Sequence, residues 1–191
     1  MTTRDTGRDA DPAAKASAIS YPVHVARLPK NGMDVRIEAD EAQRAALAAA
    51  HGLLGVGRLV ALLHVTGWKQ GGVRVTGTVE ADIVQACIVT LDPVDARIDE
   101  QVAATFLPES SRLAVPVYSA EGEILLDAEG EDAPELFSGD TVDVGQLAEE
   151  FFALGIDPYP RKPGAVLPGG GEGGEKRGPL HDKLAELKKK L

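Results

Sequence analysis

The sequence predicts an α+β fold built on a twisted antiparallel sheet, with two or three packed helices and flexible termini; whether the sheet curls into a barrel is left open. Three observations predict it. A long stretch alternates apolar and polar residues with the two-residue period of a half-buried strand, an alanine-rich stretch lies between helix start and stop signals, and small or polar residues dominate both ends. A chain of 191 residues, 43% hydrophobic and 4% aromatic, suits one medium domain with tails.

Residues 1–18 contain almost nothing large and apolar, so they cannot offset the entropy of ordering and read as a disordered leader. Tyr21, Val23 and Val25 then alternate with Pro22, His24 and Ala26, which suits an edge strand because Pro22 donates no hydrogen bond. After the turn Pro29-Lys30-Asn31-Gly32, Met33, Val35 and Ile37 mark a second short strand. Asp40 begins a helix as N-cap, with Gln43 completing a capping box, and Gly52 ends it. Its stripe Ala42, Ala46, Ala49 and Leu53 is expected to lie close against the sheet.

The run Leu59–Thr66, the turn from Gly67 to Gly72, and the alternation Val73, Val75, Gly77, Val79, Ala81, Ile83 form a hairpin with one wet face. A further strand follows the break at Asp92-Pro93, from Val94 to Phe106, interrupted at Glu100. No Lys or Arg occurs between Leu113 and Pro160, and a flexible acidic loop is expected near 118–138. Val142–Val144 reads as a short strand and Gly145–Leu154 as a helix that docks Leu147, Phe151 and Leu154. Pro158, Pro160 and Pro163 end the domain, taken as 19–163. A Gly-rich linker, 164–178, leads to a basic amphipathic helix, 179–191, where Leu180, Leu184, Leu187 and Leu191 recur beside lysines.

Charge restricts function. Thirty acids against twenty bases give −10, which argues against a surface that grips nucleic acid or anionic lipid all round. From Met1 to Pro160 there are 12 bases and 26 acids, and from Arg161 onward 8 bases and 4 acids, so an acidic body carries a basic tail. No stretch has the length and apolarity of a membrane span, and the N-terminus has no apolar signal region; a cytoplasmic protein with no membrane contact is expected. The single cysteine, Cys87, excludes an intrachain disulfide and a Cys-pair metal site.

No cofactor, metal or catalytic residue is assigned. Cys87 can serve as a nucleophile only with a base and an electropositive setting, which nothing adjacent in sequence supplies, so a small core residue is the favoured reading. His24, His51, His64 and His181 lack metal-ligand spacing, and Gly52, Gly55 and Gly57 lack the strand-to-helix context of a phosphate loop. Trp68, beside Lys69, can stack on a base or cap a core edge, the latter favoured. The tail helix can contact phosphates, dock in a partner groove or fold back, and these three readings weigh equally.

Two segments together, Gln85 to Val94 and Thr141 to Leu154 running on to Asp157–Pro163, resemble the YceD family of large ribosomal RNA subunit accumulation proteins. The residues that carry the resemblance are Cys87, Leu91, Pro93, Asp143, Gly145, Glu150 and Pro160, over roughly Tyr21 to Pro163, with a similar ending from Pro179 to Lys188. Many family members carry a second cysteine, often with an arginine, where this chain has Thr90 and Val89; a role built on a Cys pair therefore cannot operate. The resemblance implies a bacterial, non-enzymatic factor for accumulation or processing of large-subunit ribosomal RNA. Two mechanisms follow. Arg161, Lys162, Lys183, Lys188, Lys189 and Lys190 contact RNA or a precursor particle, or the acidic block (Glu121, Glu123, Asp127, Glu129, Glu131, Asp132, Glu135) holds a basic large-subunit ribosomal protein. A small enzyme using Cys87 ranks third.

Overall fold

The computed structural model describes residues 17–114 and 134–166. The expected leader up to residue 16, most of the acidic loop, the linker beyond Val166 and the tail helix lie outside the described residues. Strands β1 (Pro22–His24) and β2 (Met33–Glu38) precede helix α1 (Glu41–His51); the long strands β3 (Gly55–Trp68), β4 (Gly72–Ala86) and β5 (Pro93–Pro108) follow. Short strands β6 (Glu135–Phe137) and β7 (Thr141–Asp143) lead into helix α2 (Val144–Leu154).

Five strands form one open sheet in the order β2-β3-β4-β5-β6, antiparallel except for β6, which runs parallel to β5. Closure into a barrel does not occur within it. β1 pairs with β7 in a separate two-stranded ribbon, Val23 opposite Val142. The alternation of β4 decides the layering: Val73, Val75, Val79, Ala81 and Ile83 all face the core with Leu59, Ala61, Leu63 and Val65 of β3. The other face of the sheet is wet, as an antiparallel sheet permits. There Glu80 accepts from Arg58 at 3.2 Å and Arg97 at 3.1 Å, tying β3, β4 and β5 together.

Several expectations are corrected. Glu100 does not interrupt β5, which runs unbroken for 16 residues, and the end of the expected acidic loop, Glu135–Phe137, is a strand. α1 forms as expected, with both halves of the Asp40–Gln43 capping box and Gly52 left-handed at its end. Yet Ala42, Ala46 and Ala49 face solvent and Leu47 alone is buried, because one large side chain reaching the sheet removes more apolar surface from water than a methyl stripe. On α2 the buried residues are Val144, Gly145, Leu147, Ala148 and Phe152, while Leu154 is 74% exposed; the docking face is rotated from the expected one. Ser17 and Ala18, placed in the leader by sequence, already bind the Glu149 carboxylate.

Phe152→Ala is expected to cost about 3–5 kcal/mol in urea unfolding, the range for an emptied aromatic core position, and Leu154→Ala less than about 0.5 kcal/mol.

Candidate functional site

The motif residues fall into two structural groups. The first is the β4–β5 turn. Leu91 adopts a left-handed φ of 60°, and two backbone bonds close the turn, Cys87 N to Asp92 O at 2.8 Å and Leu91 N to Cys87 O at 2.9 Å. Pro93 then opens β5, where a missing N–H costs nothing at a strand's first residue. The proline-rich exit lies along this turn. Ile88 donates its backbone N–H to Pro160 O at 2.9 Å, Gln85 Nε2 donates to Asp157 O at 2.8 Å, and Lys162 Nζ meets Asp92 at 3.1 Å.

Cys87 sits under this clasp, fully covered. The backbone N–H of Lys162 points at its Sγ from 3.4 Å. That N–H is the largest influence on the thiol; the Thr90 hydroxyl and the Thr90 and Val89 N–H groups add to it, burial opposes them, and the pKa falls from 9.0 to about 6. Cys87 is buried, as the small-core-residue reading expects, and its surroundings of N–H and O–H donors are electropositive. The largest donor, the Lys162 N–H, comes from 75 positions along the chain, which adjacency in sequence does not reveal. Asp92 is held below the usual carboxylate range, chiefly by the Lys162 ammonium. Around the clasp Ile88, Leu91 and Tyr159 stand exposed, the last two by 75% and 71%, beside exposed Arg161 and the half-exposed Lys162. Such an apolar and basic surface suits contact with a partner. Among the described residues no group of three or more His, Cys, Asp or Glu can hold a metal ion.

The second group surrounds the start of α2. Asp143 is its N-cap, accepting from Gly145 N at 2.9 Å and Gln146 N at 3.1 Å. The same carboxylate receives Tyr21 N at 2.7 Å and the Ser20 hydroxyl at 2.6 Å. Burial pulls Asp143 toward its neutral form, but these four donors outweigh it and its pKa is lowered. Gly145 is required by close approach: a Cβ there would lie 2.6 Å from Tyr21 N and 2.8 Å from Ser20 C. Glu150 is exposed and only accepts from Gln146 of its own helix.

Its neighbour Glu149, which the sequence reading missed, holds three elements together. It accepts from the Ser17 hydroxyl, from Ala18 N at 2.8 Å, and meets His51 Nε2 at 3.1 Å. Burial opposes these bonds, and they still lower its pKa. Spacing on α2 gives a signal for it, since Glu149 falls next to the buried Ala148 and one turn before Phe152 and Ala153. Of the acidic block only Glu135 is described; burial first and the nearby Glu150 second raise its pKa. Glu121, Glu123, Asp127, Glu129, Glu131, Asp132, Lys183, Lys188, Lys189 and Lys190 lie outside the described residues.

A family model described as large ribosomal RNA subunit accumulation protein YceD matches residues 75–189, from β4 through both motif groups into the tail. The chain belongs to the YceD family. The match starts later than the resemblance read from the sequence, leaving β1, β2, α1 and β3 outside it, and includes the tail ending from Pro179 to Lys188 that carried part of the resemblance. No curated protein and no solved structure matches the chain. The family is named for RNA accumulation, not for a reaction. Among the described residues no helix is long and apolar enough to cross a membrane.

Absorbance at 240 nm should titrate one thiolate with a midpoint about 6, moving upward in Thr90→Val. Because the folded pKa lies below the unfolded 9.0, the thiolate's contribution is complete above pH 9 and lost as pH falls toward 6. The unfolding free-energy difference between the wild-type chain and Cys87→Ala should therefore widen from pH 6 to pH 9. Asp143→Ala is expected to cost about 2 kcal/mol, the upper range for a lost N-cap. By the same linkage, Asp143→Asn should flatten the loss of stability on the acid side of the ordinary carboxylate range.

Proposed function

We propose that this chain is a bacterial, cytoplasmic, non-enzymatic factor in biogenesis of the large ribosomal subunit, acting on ribosomal RNA or a precursor particle. The observation that carries the reading is the family match over residues 75–189, which spans both clasped motif groups. The site is consistent with binding rather than catalysis. Its cysteine is sealed under the exit segment, and its neighbouring carboxylate, Asp92, is occupied by Lys162. Arg161, Lys162 and the tail lysines are the contacts first assigned to RNA, and binding through them should weaken steeply with salt as counterions are released. Lys162 already shares its ammonium with Asp92, so Arg161 and Lys183, Lys188, Lys189 and Lys190 carry more of that load.

A second reading, capture of a basic large-subunit ribosomal protein by the acidic block, is favoured by one observation. Burial first and the charge of Glu150 second raise the pKa of Glu135, and with Asp143 and Gln146 the two glutamates line a groove of about 180 Å³ beside α2. A cationic side chain there would relieve that repulsion.

Depleting the protein should lower large-subunit ribosomal RNA relative to small-subunit RNA, and an unchanged ratio would sink the proposal. Pull-downs at two salt concentrations then separate the mechanisms. RNA recovered by the full chain and lost on truncation after Pro168 supports the tail. A basic ribosomal protein recovered by both versions, and lost when Glu121, Glu123, Asp127, Glu129, Glu131 and Asp132 are changed to Gln, supports the acidic block; these six leave β6, β7 and the Asp143 cap in place.

A further inference from the structure

We propose that the end of the sheet around Trp68 binds an unpaired stretch of RNA, the indole stacking on a base while Lys30, Lys69, Arg74 and Arg112 hold phosphates. The inference rests on the ribosomal RNA reading above and assigns it a surface at the far end of β4 from the Cys87 turn. The two ends are ~45 Å apart at the rise of a strand.

Topology builds this surface from four separate segments. Trp68 ends β3 opposite Gly72, and Arg74 stands between Thr66 of β3 and Thr105 of β5. The turn that carries Lys30 is pressed onto β3, so that a Cβ on Gly32 would come within 2.6 Å of Thr66 Cγ2. Pro108, at the end of β5, lies 3.8 Å from where a Cβ on Gly71 would stand, and the one-turn helix bearing Arg112 follows directly. Lys30, Lys69 and Arg112 are exposed and Trp68 is half-buried.

Charge use is one mark of this end, although Arg27 and Arg161 elsewhere likewise form no ion pair with a described residue. Arg36, Arg58, Arg97 and Lys162 are each spent on a carboxylate, whereas Lys30, Lys69 and Arg112 make no ion pair with a described residue. Lys69 Nζ stands 5.4 Å and the Arg74 guanidinium 5.9 Å from the centre of the Trp68 ring. Cations beside an indole combine a stacking face with phosphate donors, the pairing that single-stranded RNA uses; the flexible Lys69 can leave the ring for a phosphate as a base takes its place. On a chain of net charge −10, a polyanion is repelled from most directions, which makes the local grouping of Lys30, Lys69 and Arg112 the favourable approach. A duplex keeps its bases stacked on one another and offers the indole none.

The chain has one tryptophan, so its fluorescence reports this site alone. Titration of the full chain with an unlabelled single-stranded RNA 12-mer should quench it, with affinity falling as salt rises, and the matching duplex should not. Trp68→Ala should weaken binding about tenfold and Trp68→Phe restore most of it. Lys30→Gln and Lys69→Gln, both at exposed positions, should each reduce the salt slope by about 0.7. Quenching by polyglutamate or inorganic polyphosphate as strong as by RNA would overturn the proposal in favour of a general anion or acidic-protein site. RNA binding that survives Trp68→Ala but is lost when Lys188, Lys189 and Lys190 become Gln would overturn it while leaving the ribosomal reading intact. Absence of RNA binding, with depletion still lowering large-subunit RNA, would do the same; an unchanged RNA ratio on depletion would remove the reading itself.

Discussion

The carboxylate of Asp143 is the point on which the architecture turns. One oxygen caps α2 and also receives the Tyr21 N–H, and the other takes the Ser20 hydroxyl. A single side chain thereby ends β7, begins α2 and fastens the chain entering β1. The close approach at Gly145 lets the three lie together, and the buried face of α2 then falls on β4 and β5. Glu149, further along the same helix, repeats the device by joining Ser17, Ala18 and the His51 end of α1. Both carboxylates are partly buried and stay ionised because N–H and O–H donors surround them, which converts a desolvation cost into a positional constraint.

At the other end of the sheet the exit segment does comparable work with backbone groups. Beyond α2 the proline-rich segment lies along the β4–β5 turn, so that carbonyls at Asp157 and Pro160 accept from it and the Lys162 N–H faces Cys87. The cysteine is best understood as the acceptor at the centre of that clasp. Its thiolate character follows from convergent N–H dipoles, and its full coverage separates that character from reactivity toward large reagents.

The sheet itself separates chemistry by face and by end. One face is sealed with aliphatic side chains; the other is a wet surface where charged neighbours largely neutralise one another, as Glu80 does for Arg58 and Arg97. Lys30, Lys69 and Arg112, which form no ion pair with a described residue, lie at the Trp68 end, while the Cys87 end shows exposed apolar groups beside Arg161. A long strand such as β4 thus keeps two surfaces of different character apart.

The sequence by itself determined the period-2 alternation of β4, the capped helix α1, the breaks at Gly67–Gly72 and Asp92-Pro93, and the family motifs, because each depends on residues within a few positions of one another. Tertiary structure decided which helix face is buried, Leu47 in place of the alanine stripe on α1 and Phe152 in place of Leu154 on α2, since that depends on what each helix meets. It also decided the role of Glu149, the electropositive setting of Cys87 and the gathering of Lys30, Trp68, Lys69, Arg74 and Arg112. The physical reason is common to all three: hydrogen bonds and charges act over a few ångströms of space, and the chain separations they bridge here leave no local periodicity to read.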